Sequence, residues 1–165
     1  MSRSAHNRGF TLVETIVYLF ILALISVVIV TLLVNLVQAF YRFRAMERVA
    51  HSADLALERF SREVRRAISV NSFNGNLLVL NTTDTAGDPT TITFATSTTV
   101  MTVQEGSALA ATTTDAGVTV SNLVFRNVSA ALPPAVRLEL TLTDPIVLPG
   151  RQFKFYDTVI LRGSY

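Results

Sequence analysis

Apolar residues fill an unbroken stretch near the start of the chain. From Thr15 to Tyr41, a run of 27 residues, no side chain is charged. The hydrocarbon core of a bilayer needs about 20 apolar residues in a helix. A buried helix in a small soluble domain is rarely apolar on every side. The pattern therefore predicts a membrane-spanning helix over residues 10–41.

After residue 41, apolar positions recur at three- and four-residue steps, which predicts a helix with one apolar stripe. The stripe consists of Val49, Ala53, Ala56, Leu57, Phe60, Val64, Ala67 and Ile68. Glu58 stands four residues before Arg62, a spacing that stabilises a helix when the charges are opposite. No proline or glycine interrupts residues 10–68. We expect one continuous helix of about 59 residues, roughly 88 Å long at 1.5 Å per residue.

The remainder of the chain has the period-two alternation of half-buried strands. It is clearest from Val136 to Thr143 and recurs from Phe153 to Leu161, where Asp157 interrupts it. Further candidate strands are Leu77–Leu80, Thr91–Phe94, Thr99–Val103 and Val118–Phe125. Asn74–Gly75 is a hairpin-turn signal, and Asp115–Ala116–Gly117, Pro133–Pro134 and Pro149–Gly150 are breaks.

These patterns predict an α+β fold with a long N-terminal helix. The first half of the helix spans the membrane, and its second half packs on a C-terminal antiparallel β-sheet domain. Residues 10–41, 42–68 and 69–165 are the expected membrane helix, amphipathic helix and β-domain.

Charge gives little support for binding to nucleic acid. The net charge is +2 at neutral pH, with 14 basic and 12 acidic residues. Arg3 and Arg8 lie in the first nine residues, so loss of that segment leaves 12 of each sign. The seven arginines between residues 42 and 66 fit a solvated helix face at a membrane surface. Packing on acidic subunits and contact with DNA are the alternatives for these arginines.

Catalytic chemistry finds no support in the sequence. There is no cysteine, so a disulfide or thiolate metal site is excluded. His51 has no acidic or thiol residue arranged around it, and no nucleophile elbow or phosphate-binding glycine loop is present. Asp84, Asp88 and Asp115 lack the ligand spacing of calcium loops and are typical of turns. We expect no enzyme activity, cofactor or metal.

The start of the chain carries the most specific motif. A short basic leader ends in Gly9, Phe10 follows, and Glu14 sits inside the apolar run. This arrangement resembles the class III signal of the type IV pilins and the pseudopilins of type II secretion. Later patterns are more loosely similar to minor pilins and J-type pseudopilins.

The resemblance implies specific roles for these residues. A prepilin peptidase that also methylates would remove residues 1–9 by cutting after Gly9 and would methylate the α-amine of Phe10. Glu14 would pair with the α-amine of a neighbouring subunit during assembly. The implied partners are this enzyme, other pilin subunits and an inner-membrane assembly platform, with the β-domain on the outer side and a filament in the periplasm or at the cell surface.

Other interpretations stay open at this stage. Val37–Gln38–Ala39 resembles a signal-peptidase site, although the apolar run is about twice the usual h-region. The chain could instead be a filament-displayed adhesin or DNA-uptake subunit, or a membrane-anchored β-domain that never polymerises.

Overall fold

The computed structural model describes residues 11–128 and 134–162. One α-helix, α1 (Leu12–Arg66), precedes eight strands. The strands are β1 (Ser69–Asn74), β2 (Leu77–Thr83), β3 (Pro89–Ser97), β4 (Val100–Glu105), β5 (Ala111–Thr112), β6 (Thr119–Asn127), β7 (Ala135–Thr143) and β8 (Phe153–Ile160). The predicted α+β class, with a long helix packed on antiparallel strands, is confirmed.

The helix is shorter than predicted at both ends. It begins at Leu12 and ends at Arg66, whereas residues 10–68 were expected. Arg65 and Arg66 lie in the last turn, where cations interact favourably with the helix dipole. The amide of Ile68 already donates to the carbonyl of Asn81 at 2.8 Å, so the chain has left the helix and joined the sheet.

The strands form two antiparallel sheets, whereas one was expected. The first has the order β1-β2-β3-β4-β5, and the second has the order β6-β7-β8. The amide of Phe125 donates to the carbonyl of Gly75 at 2.7 Å, and the amide of Val120 donates to that of Thr99 at 2.7 Å. The edge strand β6 thus contacts two turns of the first sheet, the one between β1 and β2 and the one between β3 and β4.

A hairpin turn was predicted at Asn74–Gly75, and the turn between β1 and β2 lies one residue later than that motif. Asn74 pairs with Leu77, so the two turn residues are Gly75 and Asn76. Gly75 has φ 53°, a left-handed conformation that glycine adopts without steric cost.

The strand β8 continues through Asp157, which pairs with Leu138 and does not interrupt it. The expected breaks at Asp115–Ala116–Gly117 and Pro149–Gly150 lie between strands. Pro133 lies outside the described residues.

The core lies where the helix meets both sheets. The rings of Phe60 on α1, Phe94 on β3 and Phe125 on β6 have centroids 5.9 to 6.4 Å apart. Aromatic pairs at such distances add to the stability that burial gives. The predicted stripe is buried as expected except at Leu57, which is partly buried against the core, and at Ile68, whose side chain is exposed. The helix therefore covers the junction between the sheets.

The chain divides into two compact units, Met1–Tyr41 and Arg42–Tyr165. Every residue of the hydrophobic core cluster belongs to the second unit. In the first unit, the described apolar side chains are exposed. They have no protein core to enter.

Candidate processing and assembly site

The predicted site residues fall on either side of the first described residue. Gly9 and Phe10 lie outside the described residues. Glu14 lies in the first turn of α1.

Thr11 caps the helix directly after the expected cleavage point. Its Oγ1 accepts from the amide of Glu14 at 3.3 Å, which satisfies one of the free amides of the first turn. The Oγ1 of Thr15 donates to the carbonyls of Leu12 and Thr11 at 2.9 and 3.2 Å. Both threonines therefore direct their hydroxyl groups to the backbone, and Glu14 is the acidic residue of this turn.

The Glu14 carboxylate is half-buried and has one partner on its own helix. The hydroxyl of Tyr18 donates to Oε1 of Glu14 at 3.3 Å. This is longer than the usual 2.5–3.0 Å of an O–H···O bond, so the contact is weak. Within residues 11–128 and 134–162, no hydrogen bond reaches Oε2. Tyr18 was not predicted as part of this site, although its four-residue spacing from Glu14 puts both residues on one helix face.

The run after Glu14 suits a hydrocarbon environment. Ser26 and Thr31 donate to the carbonyls four residues earlier, Leu22 and Val27, both at 2.8 Å. These bonds satisfy hydroxyl groups that lipid could not. Among the described residues, one helix is long and apolar enough to cross a membrane, and it is α1. Glu14 is therefore a lone carboxylate just before the charge-free run from Thr15 to Tyr41.

The residues considered for catalysis or metal binding do not form a site. His51 is exposed on α1. Oδ1 of Asp84 accepts from the amides of Ala86 and Asp88 at 2.8 and 2.9 Å, which makes it a turn residue. Across the described ranges, no three His, Cys, Asp or Glu residues are grouped as metal ligands.

Comparison with known proteins gives one finding. A family model described as the prokaryotic N-terminal methylation motif matches residues 4–33, a range that contains Gly9, Phe10 and Glu14. A search of curated proteins and a search of solved structures found no match.

The motif implies processing by a prepilin peptidase and assembly with other pilins, and the pilin-like family is structural rather than enzymatic. The motif and the long apolar helix fit a membrane-anchored protein. The matched motif is the class III prepilin signal, and it supports the type IV pilin and pseudopilin family.

Proposed function

We propose that this chain is a minor pilin or pseudopilin. Prepilin peptidase cuts after Gly9, the new α-amine of Phe10 is methylated, and Glu14 directs assembly into a filament. The β-domain lies on the outer side of the cytoplasmic membrane, and the filament extends into the periplasm or to the cell surface.

The observation that carries the proposal is the position of Glu14. It is the one ionisable carboxylate between Thr11 and Tyr41, and Tyr18 binds it only at 3.3 Å. A carboxylate costs a few kcal/mol near the centre of a bilayer and less near its surface. A cation from another subunit would lower that cost.

The α-amine of a neighbouring subunit has the right chemistry for this role. Cleavage after Gly9 creates an amine four residues before Glu14, at the same end of the helix. An ion pair in a low-dielectric environment repays desolvation only when its geometry is good. A subunit at the wrong depth would leave both charges unpaired, so the pair favours one axial register.

The first experiment identifies the mature N-terminus. Mass spectrometry of the protein isolated from its own membrane should show a chain that begins with N-methylphenylalanine at position 10. A Gly9→Val variant should keep residues 1–9, because a branched side chain obstructs the protease cleft. A native chain that still carries residues 1–9, or begins at residue 40, contradicts the proposal.

The second experiment separates assembly from membrane insertion. Glu14→Ala should insert and be cut normally but should lose most filament incorporation. Thr15→Ala is the matched control, because it removes a neighbouring polar group that contacts only its own backbone. Normal incorporation of Glu14→Ala would instead favour an anchored β-domain that does not polymerise through this carboxylate.

Topology and copy number each have a direct test. The chain has no cysteine, so Thr85→Cys is a unique labelling site, and so is Ser4→Cys when it is combined with the uncut Gly9→Val variant that keeps residues 1–9. In intact cells with a permeable outer layer, an impermeant maleimide should label Thr85→Cys and not Ser4→Cys.

Quantitative mass spectrometry of filaments should find this chain well below the most abundant subunit. If it is the most abundant subunit, the minor role is wrong.

A further inference from the structure

The turn between β7 and β8 holds an exposed apolar side chain on a fixed backbone. We call residues 145–151 the β7–β8 turn. Ile146 is 82% exposed, whereas Leu148, two residues later, is buried. Single exposed apolar residues are common on protein surfaces and need no partner. Two further features of this turn, its hydrogen bonding and its place in the fold, favour contact with an apolar surface.

The first five residues of the β7–β8 turn have no free amide. Two of them are prolines, which have no amide hydrogen. The amides of Ile146 and Val147 donate to Oδ1 of Asp144 at 3.1 and 2.9 Å. The amide of Leu148 donates to the carbonyl of Asp144 at 3.1 Å. An amide without a partner is costly in lipid, where no water accepts from it. This part of the turn can therefore enter a bilayer surface without that cost.

The β7–β8 turn lies near the end of the second unit that continues from the apolar segment. That unit begins at Arg42, directly after the charge-free run. Arg48 is six residues later, about 9 Å further along the helix. It donates to Asp144, the residue just before the turn, at 2.9 Å. The start of the turn is therefore fixed close to the point where the second unit begins.

The length of the apolar run brings that point to the bilayer surface. The 27 residues from Thr15 to Tyr41 extend about 40 Å in a helix, whereas the hydrocarbon core is about 30 Å thick. A run longer than the core is accommodated by tilting, so the segment after Tyr41 leaves the bilayer at an angle. Phe43, two residues after the run, is 67% exposed, as aromatic residues at a membrane interface commonly are.

The charged side chains near this point suit the phosphate groups of lipids. Residues 42–48 carry three arginines and one glutamate, and the β7–β8 turn ends in the exposed Arg151. Within the described ranges, Arg151 forms no ion pair closer than 4 Å. The exposed Asp115 lies about one helical turn beyond Arg48, because its amide donates to Ser52 Oγ at 3.1 Å. The local balance is basic, and arginines beside a bilayer are attracted to anionic headgroups.

We propose that the β7–β8 turn is a second membrane contact of this chain. Ile146 enters the boundary between headgroups and acyl chains, and Arg151 binds lipid phosphate. The inference rests on the proposed function only because it requires an anchored chain, and it does not require assembly. The contact fixes the orientation of the β-domain on the membrane and must break when a subunit leaves the bilayer.

Tryptophan fluorescence tests whether Ile146 meets lipid. The chain has no tryptophan, so Ile146→Trp places a unique fluorophore in the full chain. Ile146 is exposed, so the larger ring displaces no buried side chain. Leu109→Trp is the matched control, because Leu109 is also an exposed apolar residue in a turn, at 97%.

The control position lies at the opposite end of the second unit. Leu109 is in the turn between β4 and β5. Gly106 in that turn donates to the carbonyl of Thr91 at 2.7 Å. Thr91 pairs with Asn81, which accepts from the amide of Ile68, the second residue after α1. Leu109 therefore belongs to the end of the unit where α1 stops, away from the apolar segment.

Both variants are placed in vesicles of phosphatidylcholine and phosphatidylglycerol, with and without a lipid that carries a nitroxide quencher near its headgroup. Ile146→Trp should emit at a shorter wavelength than Leu109→Trp and lose most of its fluorescence to the quencher. Equal quenching at the two positions, or stronger quenching at position 109, would overturn the inference and leave the proposed function standing. Flotation shows whether the chain is anchored, and a chain that does not float with the vesicles would overturn both.

Substitution of Arg151 tests the contact with phosphate. In the Ile146→Trp chain, Arg151→Gln should lower the ratio of lipid-bound to free turns by about fivefold, the effect of removing one cation from an anionic surface. Arg65→Gln is the matched control, because Arg65 is an exposed arginine in the last turn of α1. It should leave the quenching unchanged. Equal quenching in the two arginine variants would overturn the role of Arg151.

Discussion

Arg48 and Asp144 join the helix to the turn that follows β7. Arg48 Nη2 donates to Asp144 Oδ2 at 2.9 Å. The Asp144 side chain is 1% exposed, whereas that of Arg48 is 46% exposed. Asp144 Oδ1 accepts from the amides of Ile146 and Val147 at 3.1 and 2.9 Å. One buried carboxylate therefore binds the helix and closes the turn.

We predict that Asp144→Ala lowers the free energy of unfolding by about 2 kcal/mol, because two part-buried amides lose their acceptor and Arg48 loses its partner. Asp144→Asn keeps one acceptor oxygen and should cost about half as much. Chemical unfolding of the full chain in detergent measures both. The exposed Glu105→Ala is the control and should change stability by no more than about 0.5 kcal/mol. A loss this small for Asp144→Ala would show that the turn closes without the carboxylate.

The buried side of the helix shows what sequence patterns found and what they missed. The stripe was predicted from apolar residues such as Val49 and Phe60, which are buried. Ser52 and Glu63 are also buried, and they were missed because they are polar. Both continue the three- and four-residue steps of the stripe. Ser52 Oγ accepts from the amide of Asp115 at 3.1 Å, a partner 63 residues away that no local pattern identifies.

Glu63 leads to a comparison of two ion pairs on the same helix. Arg59 Nε lies 3.0 Å from Glu63 Oε1, and Arg62 Nη2 lies 2.6 Å from Glu58 Oε1. The Arg62 pair is shorter and has the better orientation for a helix, with the acid first. Its two side chains are exposed, whereas Glu63 is 1% exposed. The Nε of Arg59 makes no hydrogen bond of good geometry, so its contact with Glu63 is ionic.

We predict that Arg59→Ala destabilises the protein more than Arg62→Ala. Loss of Arg59 leaves a buried carboxylate with Arg66 at 3.6 Å as its remaining cation. We expect a cost of about 2–3 kcal/mol for Arg59→Ala, because an uncompensated buried charge is expensive. Arg62→Ala should cost about 0.5 kcal/mol or less, as exposed pairs do. Thermal unfolding of the two variants side by side tests the order. Equal losses would show that water reaches Glu63.

The strands show the same limit of local patterns. The six predicted strands correspond to β2, β3, β4, β6, β7 and β8, each with alternating or apolar positions. The strand β1 was missed because it is a polar edge strand with a bulge between Val70 and Ser72. The strand β5 was missed because it has only two residues. Division into two sheets depends on which strands pair, and alternation within one strand does not encode its partner.

The turn between β3 and β4 stores strain that a substitution should release. Thr98 has φ 59°, which is unfavourable for a β-branched residue. We predict that Thr98→Gly raises the free energy of unfolding by about 0.5–1 kcal/mol, because glycine adopts this conformation without a steric cost.

Gly75→Ala should have the opposite effect on stability, because the φ of Gly75 is 53° and an alanine there would be strained. No atom lies within 4 Å of the new Cβ, so backbone strain is the cause to test. The substitution should lower stability by about 1 kcal/mol through backbone strain alone. Chemical unfolding measures both, and a stabilising Gly75→Ala would refute this account of the turns.

The contact between Tyr18 and Glu14 separates the role of the carboxylate from that of its neighbour. At 3.3 Å the hydroxyl of Tyr18 is a weak donor, and a phenyl ring is at least as compatible with lipid. We predict that Tyr18→Phe changes filament incorporation by no more than about twofold, the effect of a fraction of a weak hydrogen bond. Glu14→Gln keeps the size and the acceptor for Tyr18 but has no charge for an α-ammonium group. It should therefore fail to incorporate nearly as completely as Glu14→Ala. Incorporation is measured as the fraction of the chain in sheared filaments, with equal membrane levels as the control. If Tyr18→Phe failed and Glu14→Gln assembled, the hydrogen bond rather than the charge would direct assembly.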